Sequence, residues 1–229
     1  MTQLKLIELR INEKDIKSKP DLLKSFAILE HTFESAHAFL SAFEKVKSSK
    51  QGTTKDVEQD LLRAMLVFAS SGGDALLKQM LRDTIPTLSK KNLIVKTGLE
   101  KFVERQLKNE QSERGINHKF LAKILTGESR SETILLEYIN DLTSESLQSF
   151  EELMKASNAL GVQPSAITIP NDKLKKVFKE RNKIIHELDI NFEMPNRSRF
   201  GRSRSDMINL TNDILTAEKE IFVAVCDLY

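Results

Sequence analysis

Between Leu62 and Met80 the apolar residues of this chain keep one helical phase straight across Ser70-Ser71-Gly72-Gly73. Leu62, Met65, Leu66, Ala69, Leu76, Leu77 and Met80 recur at steps of three and four, as one face of a helix with 3.6 residues per turn requires. A loop of arbitrary length at the glycines would also shift the phase. The unbroken phase therefore predicts a single helix over about residues 55–82, long enough for other helices to be organised around it. Each interior glycine costs such a helix about 1 kcal/mol relative to alanine. Gly73 falls on the apolar face, so another helix is expected to pack closely there. A phosphate-cradling glycine loop is the alternative, but the Gly-x-x-x-x-Gly-Lys spacing is missing.

The same period governs most of the remaining sequence. Over 21–47, Phe26, Leu29, Phe33, Ala36, Leu40 and Phe43 form a stripe too short to specify a coiled coil, so it reads as core in preference to a seam between subunits. Pro86 is expected to precede a helix over about 91–109 carrying Leu93, Val95, Leu99, Phe102, Val103 and Leu107. A short helix carries Phe120, Leu121, Ile124 and Leu125. Ser129 or Ser131 caps the next, and another runs from about residue 144 to its stop at Gly161. After Pro170 a helix opens with Asn171 as N-cap, and the last helix spans about 205–229. Residues 48–54 and 110–117 read as loops, while residues 4–11 suit an edge strand and a short helix equally. The fold class is all-α, most simply a multi-helix bundle. Residues 1–50, an N-terminal segment and long helix, form either a unit of their own or part of the bundle of residues 51–229.

Composition removes several functional classes. The formal charge is +2 in 229 residues, so any nucleic-acid site has to be local. No Trp is present, and twelve Phe with two Tyr argue against a base-stacking platform. The single cysteine, Cys226, excludes an intramolecular disulfide or a Cys-based zinc cluster and is expected to be a buried structural thiol. His31, His37 and His118 form no metal-ligand spacing, so neither a metal nor another cofactor is expected. No apolar run approaches the roughly 18 residues needed to span a membrane, and no signal-peptide core opens the chain. The expectation is a cytoplasmic protein without a membrane partner.

The helix after Pro170 carries the chemistry. Leu174, Val177, Phe178, Ile184, Ile185 and Leu188 form one stripe, and Arg181 falls at its centre, where the period asks for an apolar residue. A buried guanidinium needs an anionic partner, because an unpaired buried charge is costly. Asn182 and His186, four apart, project along the edge of the same stripe. Cations crowd this region: Lys173, Lys175, Lys176, Lys179, Arg181 and Lys183 on the helix, then Arg197, Arg199, Arg202 and Arg204 in a stretch that reads as a flexible loop. The local acids, Glu180, Glu187, Asp189 and Glu193, are fewer. Lys179, Lys183, Arg197, Arg199, Arg202 and Arg204 are accordingly the candidate contacts to an RNA backbone. A bland reading competes, in which Arg181 pairs with a buried carboxylate, His186 caps the helix end and the basic run is a solvated face.

Arg181-Asn182-x-x-x-His186 resembles the Arg-x4-6-His signature of the HEPN superfamily, including the polar residue that commonly follows the arginine. The flank up to Asp189-Ile190-Asn191 is similar to the RNase-type branches. The resemblance covers a few residues near the end of an all-helical chain. It implies a helical bundle that dimerises through its motif-bearing helices, so that two motifs share one cleft. It also implies a metal-independent endoribonuclease acting as a toxin or antiviral defence effector, with a neutralising or activating partner protein. Some relatives are instead non-catalytic modules that bind RNA, a nucleotide or a partner. On the nuclease reading Arg181, Asn182 and His186 are catalytic: His186 deprotonates a ribose 2′-hydroxyl, Arg181 stabilises the phosphoryl charge, and Asn182 orients the phosphate or the imidazole. Where some relatives carry His-x-Tyr and are modified on that tyrosine, this chain has Leu188, so such control is not expected.

Overall fold

The computed structural model describes residues 4–12, 16–47, 55–108, 118–127 and 129–229; the loops expected at 48–54 and 110–117 lie outside the described residues. Eight α-helices are present among them: α1 Leu23–Val46, α2 Asp56–Lys91, α3 Leu93–Leu107, α4 His118–Thr126, α5 Arg130–Thr143, α6 Phe150–Ala159, α7 Asn171–Glu187 and α8 Arg204–Leu228. No strand occurs among the described residues beyond an isolated bridge between Ile190 and Arg199. The protein is all-α.

Helix α2 is the axis of the bundle and packs against α1, α3, α5, α6, α7 and α8. Its phase holds across the serine–glycine stretch as expected, and Leu62, Met65, Leu66, Ala69, Leu76 and Met80 are fully buried. Both glycines are approach points. A Cβ on Gly72 would lie 2.1 Å from Thr32 Oγ1 of α1, and one on Gly73 would lie 2.2 Å from Glu218 Oε1 of α8. The two residues that weaken the helix locally are those that let two neighbours reach its backbone. Contacts fix the directions. Thr32 meets Gly72 and Phe39 meets Phe68 at 4.9 Å between ring centroids, so α1 runs antiparallel to α2. Glu218 meets Gly73 and the Tyr229 hydroxyl lies 3.1 Å from Thr87 Oγ1, so α8 runs parallel to it.

Two expected boundaries move. Pro86 stands inside α2, which continues to Lys91 instead of ending near residue 82. Ile85 and Leu88 are fully buried and extend the apolar face past the proline, so tertiary packing outweighs its roughly 3 kcal/mol helix penalty. The helix expected from residue 144 starts at Phe150, with the Ser149 side chain as its cap. Before it, the Leu147 N–H donates to Asp74 Oδ1 at 2.6 Å, which ties the segment to α2 in place of a further helical turn. Ser129, not Ser131, caps α5, and the chain leaves α6 through Gly161 at φ +82. Residues 4–12 form neither strand nor helix: the Ile7 N–H donates to Asn212 Oδ1 at 2.9 Å, and Asn212 Nδ2 donates to the Lys5 carbonyl at 3.0 Å.

Candidate functional site

Helix α7 buries Leu174, Val177, Phe178 and Ile184, and with them Arg181, which is 7% exposed. The geometry around that guanidinium departs from the expectation of an anionic partner. Arg181 Nη1 donates to Asn182 Oδ1 at 2.9 Å, and Nη2 donates to Gln148 Oε1 just ahead of α6. Its Nε is buried with no hydrogen-bond partner, and among the described residues no carboxylate forms a salt bridge with it. Burial pulls its pKa down, opposed by the negative charge of Asp74. Asp74 itself is occupied by the Leu147 N–H at 2.6 Å and by Lys78 Nζ at 3.1 Å. Two neutral amides thus hold a buried cation whose charge has no direct counter-ion. The carboxylate pairing of the bland reading is not found among the described residues.

His186 lies one turn beyond Asn182 on the same helix, rotated from Arg181 by roughly 140° about the axis. It is exposed and makes no hydrogen bond among the described residues. Arg181 and Asn182 are joined by a hydrogen bond, whereas His186 lies on the exposed side of the helix, apart from the buried guanidinium. Beyond it the helix ends without a glycine. Leu188 and Asp189 take φ of 49° and 60°, and the Asp189 N–H reaches back to the Lys183 carbonyl at 2.9 Å. Non-glycine residues in this region are strained and persist where surrounding contacts hold them.

Those contacts form an ion-pair network that the local sequence did not announce. The Asp189 carboxylate is completely buried; Arg63 Nε of α2 donates to its Oδ2 at 2.8 Å, Arg202 Nε donates to the same oxygen at 2.7 Å, and Arg202 Nη2 donates to Oδ1. Burial favours the neutral acid, yet the hydrogen bonds and charges of Arg202 and Arg63 hold its pKa below the ordinary carboxylate range. Glu180 accepts from Arg202 at 2.6 Å and from Lys183 at 3.1 Å, and these bonds likewise outweigh its burial and lower its pKa. Arg63 also donates to Asp60 Oδ1 at 3.0 Å and to the Phe200 carbonyl at 2.8 Å.

The arginine-rich stretch is therefore an ordered return, not the flexible loop its composition suggested. The Asn191 N–H donates to the Ser198 carbonyl and the Phe200 N–H to the Asp189 carbonyl, both at 2.8 Å. Arg199 pairs with Asp60 at 2.7 Å and donates to the Leu188 carbonyl at 3.1 Å; Arg204 pairs with Glu44 of α1. Arg202, Arg199 and Arg204 are thus committed within the chain, and Lys183 is shared between Glu180 and the Phe200 ring, 5.1 Å from its centroid. Lys179 and Arg197 are exposed without an ion pair among the described residues. Sequence reasoning did not single out Arg63. Its signal was the one that exposed Arg181, a cation in phase with buried positions, here Gln59, Leu66, Ser70 and Gly73.

His31 pairs with Glu34 at 3.0 Å on an exposed face, His37 Nε2 lies 3.0 Å from the Ile7 carbonyl, and His118 opens α4. Cys226 is buried, and no helix among the described residues is long and apolar enough to cross a membrane. Comparison of the chain with protein-family models, with curated proteins and with solved structures finds no match.

Proposed function

We propose that this protein is a HEPN-like, metal-independent endoribonuclease, with Arg181, Asn182 and His186 as its catalytic set. The observation that carries the proposal is Arg181, a buried guanidinium held by amides, with an orphan Nε and no carboxylate against it. A phosphodiester oxygen is the counter-ion that this arrangement lacks. His186 is the exposed imidazole on the same helix, the side-chain type that can take and give a proton in such a step. In the reaction His186 accepts the 2′-hydroxyl proton as the 2′-oxygen attacks phosphorus. The bond to the 5′-oxygen breaks, and that oxygen takes a proton from the His186 of a second copy or from water. The products are a 2′,3′-cyclic phosphate and a 5′-hydroxyl.

Dimerisation through the motif-bearing helices is part of the proposal. It is supported by Leu188, Phe192 and Met194, which are 65%, 63% and 46% exposed directly after His186. Lys179, Lys183 and Arg197 are the cations best placed to contribute to an RNA backbone site, while Arg199, Arg202 and Arg204 serve the fold first. A cytoplasmic toxin or defence effector, with a neutralising or activating partner, is the setting carried by the HEPN resemblance alone. A second reading, a non-catalytic module for RNA, a nucleotide or a partner protein, draws support from His186 having no hydrogen-bonded group to orient it. The deciding experiment incubates purified protein with cellular RNA in EDTA. Wild-type fragments ending in cyclic phosphate, absent with His186→Ala, are expected. Salt-sensitive binding without cleavage would select the binding module.

A further inference from the structure

Helices α3, α5 and α6 converge on a cleft of about 280 Å³ that none of the motif residues lines. Its floor is the pair Phe102 and Tyr138, with ring centroids 5.2 Å apart. Tyr138 is only 5% exposed, and what remains accessible includes its hydroxyl, which makes no hydrogen bond among the described residues. A hydroxyl that opens onto the cleft with no partner in the chain is placed to donate to a molecule bound there. The wall facing it is cleared. A Cβ on Gly98 would lie 2.8 Å from that hydroxyl, so a larger residue would crowd it.

The rim is cationic. Lys101, Arg105 and Lys155 face one carboxylate, Asp141, which Arg105 already holds at 2.6 Å. Lys101 is exposed and has no partner among the described residues; Lys155 reaches Glu152 only at 3.4 Å. Asn158 adds an amide beside them. Burial and the nearby Asp141 raise the Tyr138 pKa, which keeps its hydroxyl protonated as a donor.

We propose that this cleft is a binding site for a small phosphomonoester, with the phosphate held by Lys101 and Lys155 and hydrogen-bonded by the Tyr138 hydroxyl. The apolar floor and the volume leave room for the organic part, which bare phosphate would not fill. The site stands apart from the RNA-cleavage reading and is tested without it.

The test is isothermal titration of the full chain with adenosine monophosphate, ribose 5-phosphate and inorganic phosphate. One saturable site for a phosphomonoester is expected, with inorganic phosphate at least tenfold weaker. Tyr138→Phe keeps the ring and should weaken binding about tenfold, the loss of one hydrogen bond to a charged acceptor. Lys101→Ala, at an exposed position, should weaken it comparably and guards against a folding defect in the first variant. His186→Ala should leave it unchanged. Absence of saturable binding at millimolar phosphomonoester overturns the proposal. So does equal affinity for inorganic phosphate, or binding untouched by both Tyr138→Phe and Lys101→Ala.

Discussion

Asp189→Asn isolates the charge that anchors the end of the motif helix. Asparagine matches aspartate in shape and tolerates the left-handed φ of 60° at this position, so backbone strain is not added. What changes is that two guanidiniums, Arg63 at 3% and Arg202 at 10% side-chain exposure, lose their shared carboxylate. Removing one partner of a buried ion pair costs about 3–5 kcal/mol. Arg202 keeps Glu180 at 2.6 Å and Arg63 keeps the half-exposed Asp60 at 3.0 Å, which places the loss near the lower end, about 3 kcal/mol. For a chain of this size that is a fall in Tm of about 6–12 °C. Urea unfolding followed by circular dichroism at pH 7 measures it. The pH dependence supplies a second check. The folded pKa of Asp189 is depressed, so the unfolded state binds more protons between the two values, and the stabilisation is lost as pH falls below the ordinary value of 3.8 through the folded one. The difference between wild type and variant should shrink over that window. A loss under about 1 kcal/mol at pH 7, or one indifferent to acid, would refute the account of this network as a closed, buried ion-pair cluster.

Arg181→Met should leave stability within about 1 kcal/mol of wild type or raise it, because no carboxylate in contact is stranded, while abolishing RNA cleavage; a melting curve and the EDTA assay read the two effects separately. Glu218 is buried with both oxygens unpartnered, and burial raises its pKa well above 4.5, so Glu218→Met should gain about 1–3 kcal/mol at pH 8. The native state keeps a proton that the unfolded state releases above 4.5, so wild-type stability should fall as pH rises from there, a slope the variant loses in parallel urea titrations. Gly72→Ala gains about 1 kcal/mol of helix propensity but drives a Cβ to 2.7 Å from the Cβ of the stiff Thr32. A net loss of about 1–2 kcal/mol in thermal unfolding is expected, since overpacking costs about 1–3 kcal/mol.

The helices were legible because each buries a stripe whose period is local. Leu62 to Met80 showed α2, and the same reading placed a close neighbour at Gly73, where α8 brings Glu218. Where local chemistry and packing disagree, the sequence misleads. Pro86 looked like a boundary, but Ile85 and Leu88 had enough to bury to carry the helix through it. Residues 144–149 had helical composition, and the partner that holds them out of a helix, Asp74, lies 73 positions before the Leu147 amide it binds. The arginine-rich return failed to show for the same reason. Its anchor joins Arg63 to Asp189 across 126 positions, a pairing that no window of local composition contains.

Charge pairing across elements is also what separates Arg181 from its neighbours. From sequence, ten cations between Lys173 and Arg204 looked alike against four local acids. Carboxylates from distant helices, Asp60 on α2 and Glu44 on α1, then take up Arg199 and Arg204, and the buried Asp189 takes Arg202. Arg181 sits deeper than any of these and receives only amides. A fold that supplies counter-ions over such distances leaves its most buried helical cation on α7 without one. If that cation served stability alone, an apolar residue in phase with Val177 and Ile184 would serve better. On the proposed reading an anion arriving from solution is the missing counter-ion, and His186, exposed on the same helix, is the group that would move a proton for it.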